Sequence, residues 1–127
     1  MIMKQYQLAN AYRATDWLAG NEHLTVQTRW DVYDLRNRLR PYYEFQLNEE
    51  NLMRKKYIPF VQEDGSLVGE AHDKFLNDMA ELNNLEIDIG EIHPFEIQMR
   101  DDDGIRVRDM EALENFIHFQ RDPCLQK

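Results

Sequence analysis

The chain has 127 residues, of which 15 are Lys or Arg and 24 are Asp or Glu, so its formal net charge is −9. This acidic field repels nucleic acid and anionic membranes, and we therefore expect neither as a direct partner. A hydrophobic fraction of 43% argues against wholesale disorder and suits a single domain over 1–127. A single cysteine, no apolar run of about 20 residues and no signal-peptide pattern together predict an intracellular protein.

The first part of the chain, 5–57, predicts an antiparallel hairpin of two helices. Gln5 to Ala19 repeats apolar residues at helical spacing, and a glycine and an asparagine then supply a helix stop. A second helix runs from Thr25 to Tyr57, roughly 50 Å at 1.5 Å per residue. Either Thr25 or Thr28 can cap its start. Because the connection is short, the two helices are expected to pack side by side.

Two apolar stripes follow the long helix. Val26, Trp30 and Tyr33 are spaced by four and three residues. Leu35 and Leu39 continue the apolar positions on an adjacent face. Such a repeat is typical of an amphipathic helix that packs on the rest of the molecule.

Pro41 interrupts the middle of this helix. Proline lacks a backbone donor and its ring clashes with the preceding turn, which costs about 3 kcal/mol in a helix interior. We expect a kink, or two helices that meet near Arg40. Beyond the proline, the polar runs Asn48–Asn51 and Arg54–Lys56 suggest an arm that projects partly into solvent and has a partner.

The second part, 58–119, predicts a small α+β unit. Ile58–Val61 and Leu67–Val68 suggest two short strands around an Asp64-Gly65 turn, because Asp-Gly tolerates positive φ. Glu70–Asn83 has apolar residues at spacings of four, four and three, which predicts a helix.

The remaining segments alternate between strand and helix patterns. Leu85–Ile89 and Phe95–Met99 alternate apolar and polar residues and predict strands. The charged run 100–104 predicts a turn. Asp109 can cap a helix that extends to about Phe119, and the tail 120–127 is expected to be flexible.

Several of these segments, in this order, resemble a known family. They are a short helix, a long helix with a charged middle, the turn Glu63–Val68, a helix that ends at Leu82–Asn84, the strand Leu85–Ile89 and the helix Asp109–Ile117. Over roughly 8–119 the chain resembles a family of small uncharacterised proteins encoded by bacteriophages and prophages of Gram-positive bacteria. The resemblance implies a phage origin near virion morphogenesis genes, and a location in the cytoplasm of an infected bacterial host or in the virion. It carries over no functional residues.

No motif in the sequence indicates a particular chemistry. Asp101–Gly104 suggests calcium, but an EF-hand loop ending there requires acids where Met99 and Met110 stand. The four histidines are too widely spaced for a zinc-binding helix. Ser66 lacks the strand-to-helix context of a catalytic serine, and Cys124 lies in the expected tail. We therefore expect a protein that is not an enzyme and binds no cofactor or metal.

The long helix carries the residues that favour contact with another protein. Arginine and tyrosine are enriched at the energetic centres of interfaces. The candidate contact residues are Arg29, Arg36, Arg40, Tyr42, Tyr43 and Tyr57. The simpler alternative is that these arginines pair with acids of neighbouring elements and that the rings belong to the core. However, a helix of this length on a small chain cannot bury all its apolar positions alone, which favours self-association or a partner helix.

We therefore predict an α+β, helix-dominated fold in which an antiparallel helical hairpin, with one long kinked helix, packs on a small antiparallel β-sheet. The predicted function is that of a non-enzymatic phage structural or assembly protein, either a minor virion component or an assembly chaperone, that contacts other phage proteins or itself. The alternative is an acidic intracellular inhibitor that occupies a basic, nucleic-acid-binding site on a host protein. Such an inhibitor requires a contiguous acidic face and binding that weakens sharply with salt.

Overall fold

Helices dominate the part of the chain that the computed structural model describes, which comprises residues 1–99 and 106–121. In chain order the elements are β1 (Ile2–Lys4), α1 (Gln5–Ala19), α2 (Val26–Tyr57), a 3₁₀ turn (Ile58–Phe60), α3 (Gly69–Asn83), β2 (Glu86–Asp88), β3 (Phe95–Met99), α4 (Val107–Ala112) and β4 (Ile117–Arg121). The predicted α+β, helix-dominated class is confirmed. Strand β1 had no counterpart in the predictions.

α1 and α2 form the predicted antiparallel hairpin. Thr25 is the N-cap of α2, because its side-chain oxygen accepts a hydrogen bond from the backbone N–H three residues later at 3.2 Å. Two hydrogen bonds show that the helices run in opposite directions. Asp16, late in α1, reaches Arg36, whereas Gln5, at the start of α1, reaches the carbonyl oxygen of Tyr42.

α2 is a single helix that continues through Pro41. The prediction of two helices that meet near Arg40 is therefore wrong, while the predicted kink stays a prediction. Other elements pack on α2 on both sides of the proline: α1 contacts residues before and just after it, and α3 contacts residues further on. Helices in proteins are stabilised mainly by such packing, so it can offset the roughly 3 kcal/mol cost of an internal proline.

α3 packs antiparallel on the second half of α2. The side-chain amide of Gln46 donates to Asn83 Oδ1, at the end of α3, at 3.1 Å. Eleven residues further along α2, the Tyr57 ring meets the Phe75 ring edge-on with centroids 5.6 Å apart. The arm that was expected to project into solvent is therefore covered on one side by α3.

Two separate two-stranded sheets replace the single antiparallel sheet of the prediction. β1 pairs antiparallel with β2, with Met3 opposite Ile87. β3 pairs in parallel with β4, with Ile97 opposite Phe119. Parallel strands need a long crossover connection, and the segment that contains α4 supplies it. The prediction of one antiparallel sheet is wrong because β1 and β4, near the two ends of the chain, were not recognised as strands.

The two strands predicted around the Asp-Gly turn are not formed. Ile58–Phe60 is a 3₁₀ turn with a proline at its centre, which cannot donate to a strand ladder. The turn itself is present. Gly65 has a φ of 84°, and the N–H of Gln62 donates to the carbonyl oxygen of Ser66 at 2.9 Å.

The last helix is shorter than predicted. α4 ends at Ala112, and the residues from Ile117 onward form a strand instead of continuing the helix to Phe119. β-branched and aromatic side chains favour strands, and β3 supplies the pairing edge that a local pattern does not reveal.

Three expectations fall wholly or partly outside the described residues. Gln120 and Arg121 complete β4, so the expected flexible tail does not begin at residue 120. The rest of that tail, with Cys124, lies outside the described part of the chain. So does the charged turn with the calcium-like Asp101–Gly104 motif.

The hydrophobic core lies between α1, the first half of α2 and the β3–β4 sheet. Its buried members are Met3, Leu8, Ala11, Ala14, Leu18, Leu24, Val32, Leu35, Leu39, Ile97, Met99, Leu113, Phe116 and Ile117. α3 contributes a single buried residue, Leu82, which is not part of this cluster. The core therefore holds the first half of α2, and the second half extends beyond it.

Candidate protein-contact surfaces

Arg36, a predicted contact residue, is engaged within the molecule. Its Nη1 donates to Asp16 Oδ1 at 2.6 Å and to Thr15 Oγ1 at 2.9 Å. The guanidinium lies 4.9 Å from the centroid of the Tyr12 ring, and the side chain is 18% exposed. The simpler alternative, pairing with an acid of a neighbouring element, holds for this arginine.

Tyr43, also a predicted contact residue, lies in a stack of side chains between α1 and α2, and Arg40, another, is exposed beside it. The rings of Tyr12 and Tyr43 are stacked with centroids 4.6 Å apart, and Arg13 lies 5.3 Å from the Tyr43 centroid. A hydrogen bond with the Tyr12 side chain raises the pKa of the Arg40 guanidinium. These contacts, together with Arg36 over Tyr12, join the two helices.

The other three predicted contact residues lie in different surroundings. Tyr42 is half-buried against the core, and its carbonyl oxygen accepts a hydrogen bond from Gln5 at 2.6 Å. Tyr57 is 4% exposed and its hydroxyl donates to Asp78 at 2.5 Å, so its ring is not available to a partner. Arg29 is exposed, and its side chain forms no ion pair or hydrogen bond with the residues that the structure describes. A contact role for Arg29 stays a prediction.

One apolar stripe of α2 faces solvent. The buried stripe consists of Val32, Leu35 and Leu39. Val26, Trp30 and Tyr33 are instead 76%, 59% and 55% exposed, and the rings of Trp30 and Tyr33 lie 5.6 Å apart. Sequence spacing identified both stripes but gave no sign of which one the core would bury.

A groove lies between the second half of α2 and α3, with a volume of about 360 Å³. We call it the α2–α3 groove. Its apolar lining is formed by Phe45, Leu52, Met53, Leu82 and Leu85. Phe45, Leu52 and Leu85 are 41%, 58% and 44% exposed, respectively. The groove therefore offers an apolar surface that the molecule itself leaves uncovered.

Acidic side chains occupy both walls of the α2–α3 groove. Glu49 of α2 and Glu81 of α3 line it, and neither carboxylate forms an ion pair or hydrogen bond within the described residues. Lys56, the one base in the lining, lies 3.0 Å from Asp78 Oδ2. Hydrogen bonds from the Tyr57 hydroxyl and then from Lys56 lower the pKa of Asp78 and keep it ionised. The groove thus carries three acids and one base that is already paired.

Sequence analysis missed this groove. None of its lining residues was among the predicted contact residues. Glu49 and Glu81 are 32 positions apart in sequence, and only the antiparallel packing of α3 on α2 brings them to one groove. The available signal was the pair Phe45 and Leu52, seven residues apart on a segment expected to project from the core.

A second concavity, of about 690 Å³, lies where α1, α2 and α4 meet. Arg13, Arg106 and Arg108 line it together with two aspartates. One of the three arginines is paired within the concavity, because Arg106 Nε lies 3.2 Å from Asp109 Oδ2. The second aspartate, Asp16, is paired with an arginine of α2. Because most of its lining residues are polar or charged, this concavity offers less apolar surface to a partner than the α2–α3 groove does.

The structure also places the residues that the sequence analysis considered for metal binding or catalysis. Within 1–99 and 106–121, no group of three or more His, Cys, Asp and Glu side chains could hold a metal ion. The hydroxyl of Ser66 donates to Asp64 at 2.6 Å within its own turn. His72 lies 4.0 Å from Asp73, and both side chains are exposed.

Comparison with known proteins adds no relative. The chain matches no family model, no curated protein and no solved structure. Among the described helices, none is both long enough and apolar enough to cross a membrane. The phage-family resemblance stays a prediction from the sequence.

Proposed function

We propose that the protein is a non-enzymatic contact module in the assembly of a bacteriophage, either as a minor virion component or as an assembly chaperone. The phage setting rests on the sequence resemblance. The contact role is carried by one observation, the exposure of large apolar side chains along α2. Trp30, Tyr33 and Leu52 are 59%, 55% and 58% exposed.

The arrangement of these side chains supports a contact role more than their number does. Single exposed apolar residues are ordinary on protein surfaces, whereas contiguous patches and apolar grooves mark interaction sites. The Trp30 and Tyr33 rings are neighbours, and Leu52 lines a concave surface. Trp and Tyr are also among the residue types that dominate binding energies at interfaces.

The acidic inhibitor is the second candidate, supported by the net charge of −9. Mimicry of nucleic acid requires a continuous acidic face. In the α2–α3 groove, however, the acids Glu49 and Glu81 alternate with apolar side chains such as Leu52. Such a surface suits an amphipathic protein partner better than a site built for phosphates.

The proposal is tested by affinity purification of the tagged chain from cells that carry the parent phage genome, sampled through the lytic cycle and analysed by mass spectrometry. We expect recovery of capsid, portal or tail proteins. We also expect that Trp30→Ala or Leu52→Asp reduces it, because each removes an exposed apolar anchor. Leu76→Asp is the matched control, since Leu76 is 50% exposed on α3 but does not line the groove.

Two results would overturn the proposed function. One is recovery of a host nuclease or polymerase in place of phage proteins, in a complex that dissociates as salt rises, which would favour the inhibitor. The other is recovery of no protein above the untagged background at any stage of the cycle.

A further inference from the structure

We infer that the α2–α3 groove binds a basic amphipathic helix of a partner protein. The inference rests on the proposed contact function and adds to it the site and the chemistry of the partner. Three properties of the groove carry it, namely its length, its apolar lining and its unpaired acids.

The dimensions of the groove match a short helix. Along α2 it extends from Phe45 to Lys56, which is about 16 Å at 1.5 Å per residue, or three helical turns. Both long walls are helices, and they run antiparallel. Helices that bind in apolar grooves insert side chains spaced by three, four and seven residues. Phe45 and Leu52 are themselves seven residues apart, so such anchors span the same distance, about 10 Å.

The apolar lining requires an apolar face on the partner. Phe45, Leu52 and Leu85 each leave about two fifths or more of their surface in water. Covering them with leucine-like side chains is favourable in proportion to the area removed from water. A wholly polar partner gains none of this free energy.

The acids determine the charge of the partner. Glu49 and Glu81 lie on opposite walls, and neither is paired within the described part of the chain. An apolar partner alone would bury these carboxylates without compensation, which is costly. Lys or Arg residues that flank the apolar anchors would instead pair with them. Lys56 does not meet this need, because it is already bound to Asp78.

A second copy of the chain is a poorer occupant. Each copy carries a formal charge of −9 and would bring the same unpaired acids to the contact. Like charges placed together across an interface oppose association. Charge complementarity therefore favours a basic helix over self-association.

The test is a selection from a displayed library of fourteen-residue helical peptides against the immobilised full-length protein. Anchor positions are varied between Leu and Ala, and flanking positions among Lys, Gln and Glu. We expect enrichment of peptides with Leu anchors and flanking Lys. For the best peptide, Leu52→Asp and the double change Glu49→Gln with Glu81→Gln should each raise the Kd by about tenfold or more. Leu76→Asp should leave the Kd unchanged.

The double variant Glu49→Gln with Glu81→Gln keeps the shape of the groove and removes its two unpaired charges. It therefore separates charge recognition from folding. We expect its peptide affinity to depend less on salt than that of the wild type. Circular dichroism verifies that each variant remains folded.

Three outcomes would overturn the inference. They are enrichment of acidic or uncharged peptides, binding that Leu52→Asp does not weaken, and a wild-type dimer that Leu52→Asp dissociates. The last would identify a second copy as the occupant. If wild type and Leu52→Asp recover phage proteins equally well, the groove is rejected as the binding site and the proposed function still stands. If the selection enriches basic peptides but the affinity purification recovers host enzymes and no phage protein, the proposed function is rejected and the groove stands as a binding site.

Discussion

The two halves of α2, on either side of Pro41, are buried in different ways. Before the proline, Val32, Leu35 and Leu39 are apolar and 6% exposed or less. After it, the buried residues are Gln46 and Tyr57, and both carry a polar group that must be satisfied. The first half is held by the core, whereas the second half beyond Tyr43 is held by α3 through contacts that include polar ones.

Gln46 is a buried polar residue at the contact between α2 and α3. Its amide nitrogen donates to Glu50 at 3.0 Å and to Asn83 at 3.1 Å. Its side-chain oxygen is buried and has no hydrogen-bond partner within the described residues, as is also true of Gln5 at the start of α1; each such oxygen costs about 1 to 3 kcal/mol. With Leu82 as its single buried residue, α3 has little apolar packing to offset this cost. One helix thus serves both as part of the core and as one wall of the α2–α3 groove.

Matched leucine truncations test this difference and have the largest expected effect. Leu39→Ala removes a side chain from the core and is expected to cost between about 2 and 5 kcal/mol of unfolding free energy, toward the upper end. Leu82→Ala, at the wall of an open groove, is expected to fall toward the lower end, because neighbours and solvent can fill the space. Urea denaturation measures both. A larger loss for Leu82→Ala would contradict the division of α2.

Pro41→Ala tests how the halves are joined. Alanine restores a backbone donor toward the carbonyl oxygen of Asn37 and removes the ring clash, so we expect stabilisation of about 1 to 3 kcal/mol. Pro59→Ala, in the 3₁₀ turn outside α2, is the control and should change stability by less than about 0.5 kcal/mol. Thermal unfolding compares the two. A loss of stability in Pro41→Ala would mean that the packing of α1 and α3 depends on the proline.

A smaller effect is expected from pH at the α2–α3 contact. The Tyr57 hydroxyl and Lys56 lower the pKa of Asp78, so its contribution to stability is present above the ordinary aspartate range and is lost as pH falls through the lowered value. Asp78 in turn raises the pKa of Lys56 and of Tyr57, so their contributions are lost as pH rises past about 10.

The unfolding temperature of the wild type should therefore fall below about pH 4 and above about pH 10 more steeply than that of Asp78→Asn. Asp34→Asn, at an exposed position of α2, serves as the control and should follow the wild type. Parallel curves for wild type and Asp78→Asn at both extremes would show that this cluster does not stabilise the fold.

Elements with local start and stop signals were predicted well from the sequence. α1 has the predicted bounds, and α2 begins beside its Thr25 cap and ends at the predicted Tyr57. β3 also has its predicted bounds, while α3 begins one residue early, at Gly69. The clearest case is the start of α2, where the Thr25 side chain caps the helix.

Elements that depend on distant partners were predicted poorly. Ile117 and Phe119 suit a helix or a strand, and the choice is made by pairing with β3, about twenty residues away. The candidate sites follow the same rule. α2 carries two apolar stripes of equal periodicity, and packing on α1 decides that Trp30 remains exposed. The acidic walls of the groove likewise exist only once α3 has packed on α2.

Hydrogen exchange of the free protein, followed by mass spectrometry or NMR, tests the division of α2 most directly. Segments with little buried apolar surface open locally, at free energies below that of global unfolding. We predict that the amides of α3 exchange through such local opening, whereas those of α1 and of α2 before Pro41 exchange only with global unfolding. Equal protection of α3 and α1, both at the global free energy of unfolding, would contradict the account.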